Sequence, residues 1–168
     1  MGRKKSPYLK DDCRLADVIS AIQVLATYKF YKLEFTQWAD RIAGDVTKAD
    51  HWKCVFEEHP EFFRLDAARE RASLVWRRQH QKLFSVDKED KITKEEFKGL
   101  SDAEKQRISR TPLNSQEIAT LIDTAINLHS RALEHRRDNR WLLTGLIGLG
   151  GVLIGALITA ASNFAFKG

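Results

Sequence analysis

A long uncharged run near the C-terminus limits the possible folds of this chain more than any other feature. The residues from Trp141 to Phe166 include no charged side chain, whereas every acidic residue and every basic residue except Lys167 lies within residues 1–140. As a helix the run is about 39 Å long, which exceeds the hydrocarbon core of a bilayer, about 30 Å thick. Because the run is apolar on every face, it is not typical of a helix in a globular core. We therefore expect residues 141–166 to form one transmembrane helix.

The charges on either side of this run predict its orientation. Several arginines precede it and one lysine follows it: Arg131, Arg136, Arg137, Arg140 and Lys167. Positive charge favours the cytoplasmic side of a membrane span. The sequence therefore predicts a tail-anchored, single-pass membrane protein that contacts lipid through its tail and has a cytoplasmic N-terminal domain.

Small residues recur along one face of the predicted span. They are separated by three or four positions, and they are Thr144, Gly148, Gly151, Gly155, Thr159 and Ser162. Small side chains allow helix backbones to approach closely in lipid, so this stripe predicts self-association into a homo-oligomer. The alternative is that glycine and alanine are simply frequent in membrane helices.

A helix that leads into the span is predicted over residues 115–140. Thr111-Pro112 interrupts the chain before it, and Asn114 with Glu117 has the spacing of a capping box. Two apolar rows at helical spacing follow, namely Ile118, Leu121, Ala125, Leu128, Ala132 and His135 in the first, and Ile122, Ile126, His129 and Leu133 in the second. The first row is typical of a heptad seam between parallel helices or of a helix packing on its own domain. With two rows, the helix can do both.

Residues 11–80 contain a regular order of predicted elements. In chain order they are a helix over 12–26, a short strand or extended link at Tyr28–Leu33, a helix from the Thr36 cap to Gly44, a helix from the Thr47 cap to Glu58, and candidate strands at Phe62–Leu65 and Ser73–Arg77. Helical spacing of apolar residues, capping residues and a C-terminal glycine support the helices. This pattern predicts three helices followed by a small β-hairpin.

The order of these elements resembles the winged-helix variant of the helix-turn-helix class over residues 11–80. The resemblance implies a mainly α fold, with a third helix that often enters the DNA major groove and a wing that contacts the DNA backbone. Winged helices also serve as protein-interaction modules. The expected architecture is a winged-helix-like cytoplasmic domain, then a long helix and one transmembrane helix.

Charged residues in this domain are the candidates for binding nucleic acid or a protein partner. The third helix carries Lys48 and Lys53 beside Asp50, Glu57 and Glu58, and the wing carries Arg64, Arg69, Arg71, Arg77 and Arg78. Acidic side chains on a groove-facing helix oppose contact with the phosphates of duplex DNA. We therefore expect a cytoplasmic protein partner and only weak nucleic-acid binding, the alternative for the arginines being a solvated wing.

The rest of the chain has no motif that points to a metal, a cofactor or catalysis. Residues 1–10 are predicted to be a flexible basic N-terminus, and residues 81–114 a charged linker with short helices that Thr93 and Ser101 begin. A calcium loop aligned here lacks the required residues at Ser85 and Asp90. A zinc site at His51, Cys54 and His59 is not favoured, because no Cys-x-x-Cys pair completes a tetrahedral set.

These features favour a non-enzymatic adaptor or sensor. It would recognise a partner through its cytoplasmic domain and self-associate through its tail. Two alternatives stay open from the sequence. One is a membrane-disrupting or pore-forming effector of the antiviral or toxin type, and the other is a membrane-tethered DNA-binding regulator.

The predicted span leads to a fractionation experiment. The full-length chain should stay with membranes through alkaline carbonate washing, because an uncharged helix of this length is integral to the bilayer. A chain truncated after Asn139 should be recovered in the soluble fraction. Release of the full-length chain by carbonate would show that residues 141–166 do not span the bilayer.

Overall fold

Three helices and a three-stranded antiparallel sheet form the first part of the computed structural model, which describes residues 6–137. The helices are α1 (Arg14–Thr27), α2 (Phe35–Ala43) and α3 (Ala49–Glu58), and the strands are β1 (Lys32–Glu34), β2 (Phe63–Leu65) and β3 (Arg71–Leu74). The strand order is β1-β3-β2, with Ser73 paired to Lys32 on one side and to Arg64 on the other. The expectation of a mainly helical chain with a small antiparallel hairpin is confirmed.

The ends of α2 and α3 show which capping predictions were right. Gly44 ends α2 in the left-handed conformation, with φ 66°, as a glycine at this position favours. The start of α2 is capped by Glu34 and Gln37 rather than by Thr36. Before α3, Asp45 caps a 3-10 turn, and its carboxylate accepts hydrogen bonds from the backbone and the hydroxyl of Thr47. The capping side chains therefore lie two residues before Thr36 and Thr47, the residues that the sequence predicted.

The core lies between the helices and the inner face of the sheet. Its largest fully buried apolar side chains are Trp38, Phe56, Phe62, Phe63, Ile22, Leu25, Leu74, Val18 and Val55. The Trp38 indole N–H donates to the carbonyl of Ala72 at 3.0 Å, so the polar atom of this buried ring has a partner. This bond joins α2 to the central strand of the sheet.

Residues 81–114 contain more regular structure than the predicted linker. A second small sheet has the order β5-β4-β6. Its strands and the helices beside it are β4 (Phe84–Ser85), β5 (Asp90–Lys91), α4 (Lys94–Gly99), α5 (Asp102–Gln106) and β6 (Ile108–Ser109). The capping boxes begun by Thr93 and Ser101 are both present. Strands of two residues have no detectable alternation, which is why the sequence predicted only the helices.

A last helix, α6, covers residues 115–137 of the described chain. Asn114 and Glu117 form the predicted capping box, with both hydrogen bonds at 2.8 Å. Leu121 and Ala125 of the first apolar row are buried, whereas Ile126 of the second row is 42% exposed. The first row thus packs on the helix's own domain at these two positions.

The chain divides into two compact units, Met1–His129 and Ser130–Gly168, and the second begins within α6. Within residues 6–137, no helix is both long enough and apolar enough to cross a membrane. The predicted span over residues 141–166 lies outside the described residues.

A buried arginine joins the main segments of the first unit. Arg77 lies in a 3-10 turn, Trp76–Gln79, that follows β3, and it is 0% exposed. Its guanidinium donates to the carbonyls of Leu25 at 2.9 Å, Lys29 at 3.1 Å and Arg110 at 2.9 Å, and also to that of Tyr28. The end of α1, the link to β1 and the segment before α6 are therefore held by one side chain.

Burial lowers the pKa of Arg77 to about 10. The group still carries its proton at neutral pH, so a full positive charge lies in the interior. The carbonyls at the end of α1 carry partial negative charge, which stabilises a cation there. The strand β3 ends at Leu74, and not at Arg77 as predicted, because the chain turns there and brings the Arg77 guanidinium inward.

Replacing Arg77 tests this junction. In a chain of residues 1–139, Arg77→Ala should lower the free energy of unfolding by at least about 3 kcal/mol, since several buried carbonyls lose their donors at roughly 1–3 kcal/mol each. Arg78→Ala is the matched control. Arg78 is the exposed neighbour of Arg77, so its replacement should change the free energy of unfolding by no more than about 0.5 kcal/mol. Urea denaturation followed by tryptophan fluorescence measures both. Equal effects of the two changes would contradict the role assigned to Arg77.

Candidate partner-binding surface

The loop between β2 and β3, which is the predicted wing, is shaped by one aspartate. The Asp66 carboxylate accepts hydrogen bonds from the backbone N–H groups of Glu70 at 3.0 Å and Arg71 at 3.2 Å. Burial alone would raise the pKa of Asp66, but these two bonds and the charges of Lys32 and Arg71 outweigh it, so the pKa lies below its usual value. Asp66 is therefore ionised at neutral pH, and its carboxylate closes the loop by accepting hydrogen bonds from the loop's own backbone N–H groups.

Arg69 occupies an unusual backbone conformation at the tip of this loop. Its φ is +57°, a region in which residues other than glycine are disfavoured because the Cβ atom approaches the backbone. Its guanidinium donates to Glu57 of α3 at 2.8 Å. The β2–β3 loop therefore places the Arg69 cation against α3. The backbone conformation of Arg69 is one that glycine would adopt more easily.

The other basic residues predicted to bind a partner include Lys48, Lys53 and Arg71. Lys48 is exposed where the 3-10 turn meets α3. Lys53 lies 5.8 Å from the centre of the Phe35 ring, and Arg71 pairs with Glu34 at 3.1 Å. Lys53 and Arg69 line one open pocket with Glu34, Asp50 and Glu70. The surface beside α3 is thus of mixed charge.

Arg77 and Arg78 are adjacent in one 3-10 turn, but they differ in exposure. Arg78 is exposed, whereas Arg77 is buried and donates to main-chain carbonyls. The prediction that Arg77 contacts a partner is therefore corrected. In the sequence the two arginines look alike, and only the inward turn after β3 distinguishes them.

A groove of about 620 Å³ lies beside the β2–β3 loop. Its lining combines α3, the three-stranded sheet and the segment before α6. The charged and aromatic residues that line it are Lys32, Arg64, Arg69, Arg78, Arg110, Glu57, Asp66, Tyr31, Phe56 and Phe63. The sequence did not indicate that Lys32, Arg110 and Tyr31 line this groove. Their positions depend on strand register and on a segment that is distant along the chain.

The groove has an excess of positive charge. Lys32 lies 3.7 Å from Asp66, and Arg69 pairs with Glu57. Arg110 donates to the carbonyl of Arg78 at 2.6 Å and lies 5.1 Å from the centre of the Tyr31 ring. Within the described part of the chain, the side chains of Arg64 and Arg78 have no ion pair. These two exposed guanidinium groups are therefore available to an anionic partner.

The two histidines of the incomplete zinc set contact carboxylates instead. His51 contacts Asp17 at 3.1 Å, and the fully buried His59 contacts Glu61 at 3.0 Å. Among residues 6–137, no group of three or more histidine, cysteine and acidic side chains is placed to hold a metal ion. The predicted self-association residues, from Thr144 to Ser162, lie outside the described residues.

Comparisons with known proteins give no relative for this chain. A scan against protein-family models found no match, and searches of curated proteins and of solved structures found none either. The assignment of a function therefore rests on the sequence and on the geometry of this surface.

The conformation of Arg69 leads to a stability test. Arg69→Gly should leave the free energy of unfolding unchanged or slightly higher. Relief of the left-handed conformation is worth roughly 1–2 kcal/mol, and the exposed ion pair with Glu57 is worth about 0–1 kcal/mol. Arg69→Ala loses the pair but keeps the unfavourable φ, so it should be less stable than Arg69→Gly. Chemical denaturation of residues 1–139 measures the order, and a reversed order would contradict this account.

Proposed function

We propose that this chain is a membrane-anchored, non-enzymatic adaptor or sensor. Its cytoplasmic domain recognises a protein partner, and its tail holds it in the membrane and self-associates. The uncharged run over residues 141–166 and its small-residue stripe support the tail's part in this proposal.

A winged-helix class for the domain is supported by its topology. The strand β1 follows α1, and the β2–β3 hairpin follows α2 and α3. The central position of β3, between β1 and β2, places the hairpin beside the first strand. In this class the third helix and the wing are the surfaces that bind partners.

The mixed charge of α3 and the wing is the observation that carries the choice of partner. Glu57 is occupied by Arg69, and Glu58 is paired with Lys10 and with Arg14 at 3.3 Å. Asp50 is exposed on the same helix. The dense row of phosphates on a duplex would repel Asp50, and Arg69, already paired with Glu57, is less available to contact it. A protein surface with charges of both signs fits better.

The full-length chain, extracted in detergent, provides the test. We expect a protein to co-purify with it and little nucleic acid, measured by mass spectrometry and by ultraviolet absorbance. Added duplex DNA should bind weakly, and its binding should fade between about 50 and 200 mM salt, as a phosphate-driven contact does. Tight, sequence-selective binding at physiological salt that Lys48→Gln abolishes would support the membrane-tethered DNA-binding regulator instead.

A further inference from the structure

The strand β2 lies at an open edge of its sheet. It pairs only with β3 among the described residues. The Val75 N–H donates to Phe62 at 2.8 Å, and the Asp66 N–H donates to Arg71 at 3.0 Å. Because paired and unpaired positions alternate in an antiparallel ladder, residues 63 and 65 direct their backbone groups away from β3.

The three residues of β2, Phe63, Arg64 and Leu65, all line the basic groove. The Phe63 N–H is taken by the His59 carbonyl at 3.0 Å, whereas Leu65 has no backbone hydrogen bond outside the hairpin within the described chain. An extended segment that enters the groove can therefore hydrogen-bond to the edge of β2 as an added strand.

The charge of the groove selects the side chains of that segment. Five cations line it against two carboxylates, and four of the five are arginines: Arg64, Arg69, Arg78 and Arg110. The planar guanidinium of arginine binds a carboxylate through two parallel hydrogen bonds. Since alternate residues of a strand point to the same side, acidic residues at every second position would all face the guanidinium groups.

We propose that this groove binds an extended segment of the protein partner. The segment has acidic residues at alternate positions, adds to the edge of β2 as a further strand, and pairs with Arg64 and Arg78. The inference rests on the proposed function and names the partner's chemistry and the site that recognises it. A concave groove of about 620 Å³ fits a single extended chain. A duplex is disfavoured because its sugar-phosphate backbone has no amide groups that could extend the ladder at the edge of β2.

Peptide binding to the full-length chain in detergent tests the proposal. The probe is a fluorescent peptide of about seven residues in which Glu and Val alternate, so that its acidic side chains share one face. Arg64→Gln with Arg78→Gln should weaken its binding at least about tenfold, equivalent to about 1.4 kcal/mol. Lys98→Gln removes an exposed charge outside the groove and should leave binding within about twofold.

Two further peptides separate charge from backbone pairing. An alternating Lys–Val peptide should not bind, because the groove is basic. A peptide with the same glutamates but prolines in place of valines should bind at least about fivefold more weakly, since proline has no N–H to donate to β2. Equal binding of the valine and proline peptides would contradict strand addition.

The outcomes also separate this inference from the proposed function. If a protein co-purifies equally with the wild type and with the doubly substituted chain, and the acidic peptide does not displace it, the groove assignment is wrong while the adaptor function stands. If no protein co-purifies, the adaptor function itself fails. If DNA displaces the acidic peptide and loses affinity in the doubly substituted chain, the groove binds phosphates and the acidic-segment assignment is overturned.

Discussion

Burial of the Arg77 guanidinium among main-chain carbonyls is the interaction on which the first unit depends. Removing a cation from water is unfavourable unless its donors are satisfied. Here carbonyls from the end of α1, the following link and the segment before α6 accept those bonds. The arginine in turn satisfies acceptors that the end of a helix leaves without partners. Segments far apart in the chain are thereby fixed around one side chain.

The basic groove is a product of this arrangement. Arg78 follows Arg77 in the same turn and is directed to the surface. The carbonyl of Arg110 accepts from Arg77, while its own guanidinium binds the carbonyls of Arg78 and His80. Two of the groove's cations therefore take their positions from the buried junction. The groove and the core of this domain therefore depend on the same junction.

The helices could be read from the sequence, but the groove could not. Helical spacing, Gly44 and the Asn114–Glu117 capping box depend on residues within a few positions of one another, so their signals are local. The groove instead requires Lys32 and Arg64 to flank Ser73 through strand register. Register is set by long-range pairing. For the same reason Arg77 could not be distinguished from Arg78, since its partners lie between 33 and 52 positions away.

The kind of acceptor that holds Arg77 has a further consequence. Surface pairs such as that of Arg71 with Glu34 weaken when salt screens the charges. The acceptors of Arg77 are uncharged carbonyl oxygens, and a buried group is only slightly screened. High ionic strength should therefore loosen the ion pairs at the periphery of the domain, those of the β2–β3 loop included, while the junction at the end of α1 keeps its hydrogen bonds.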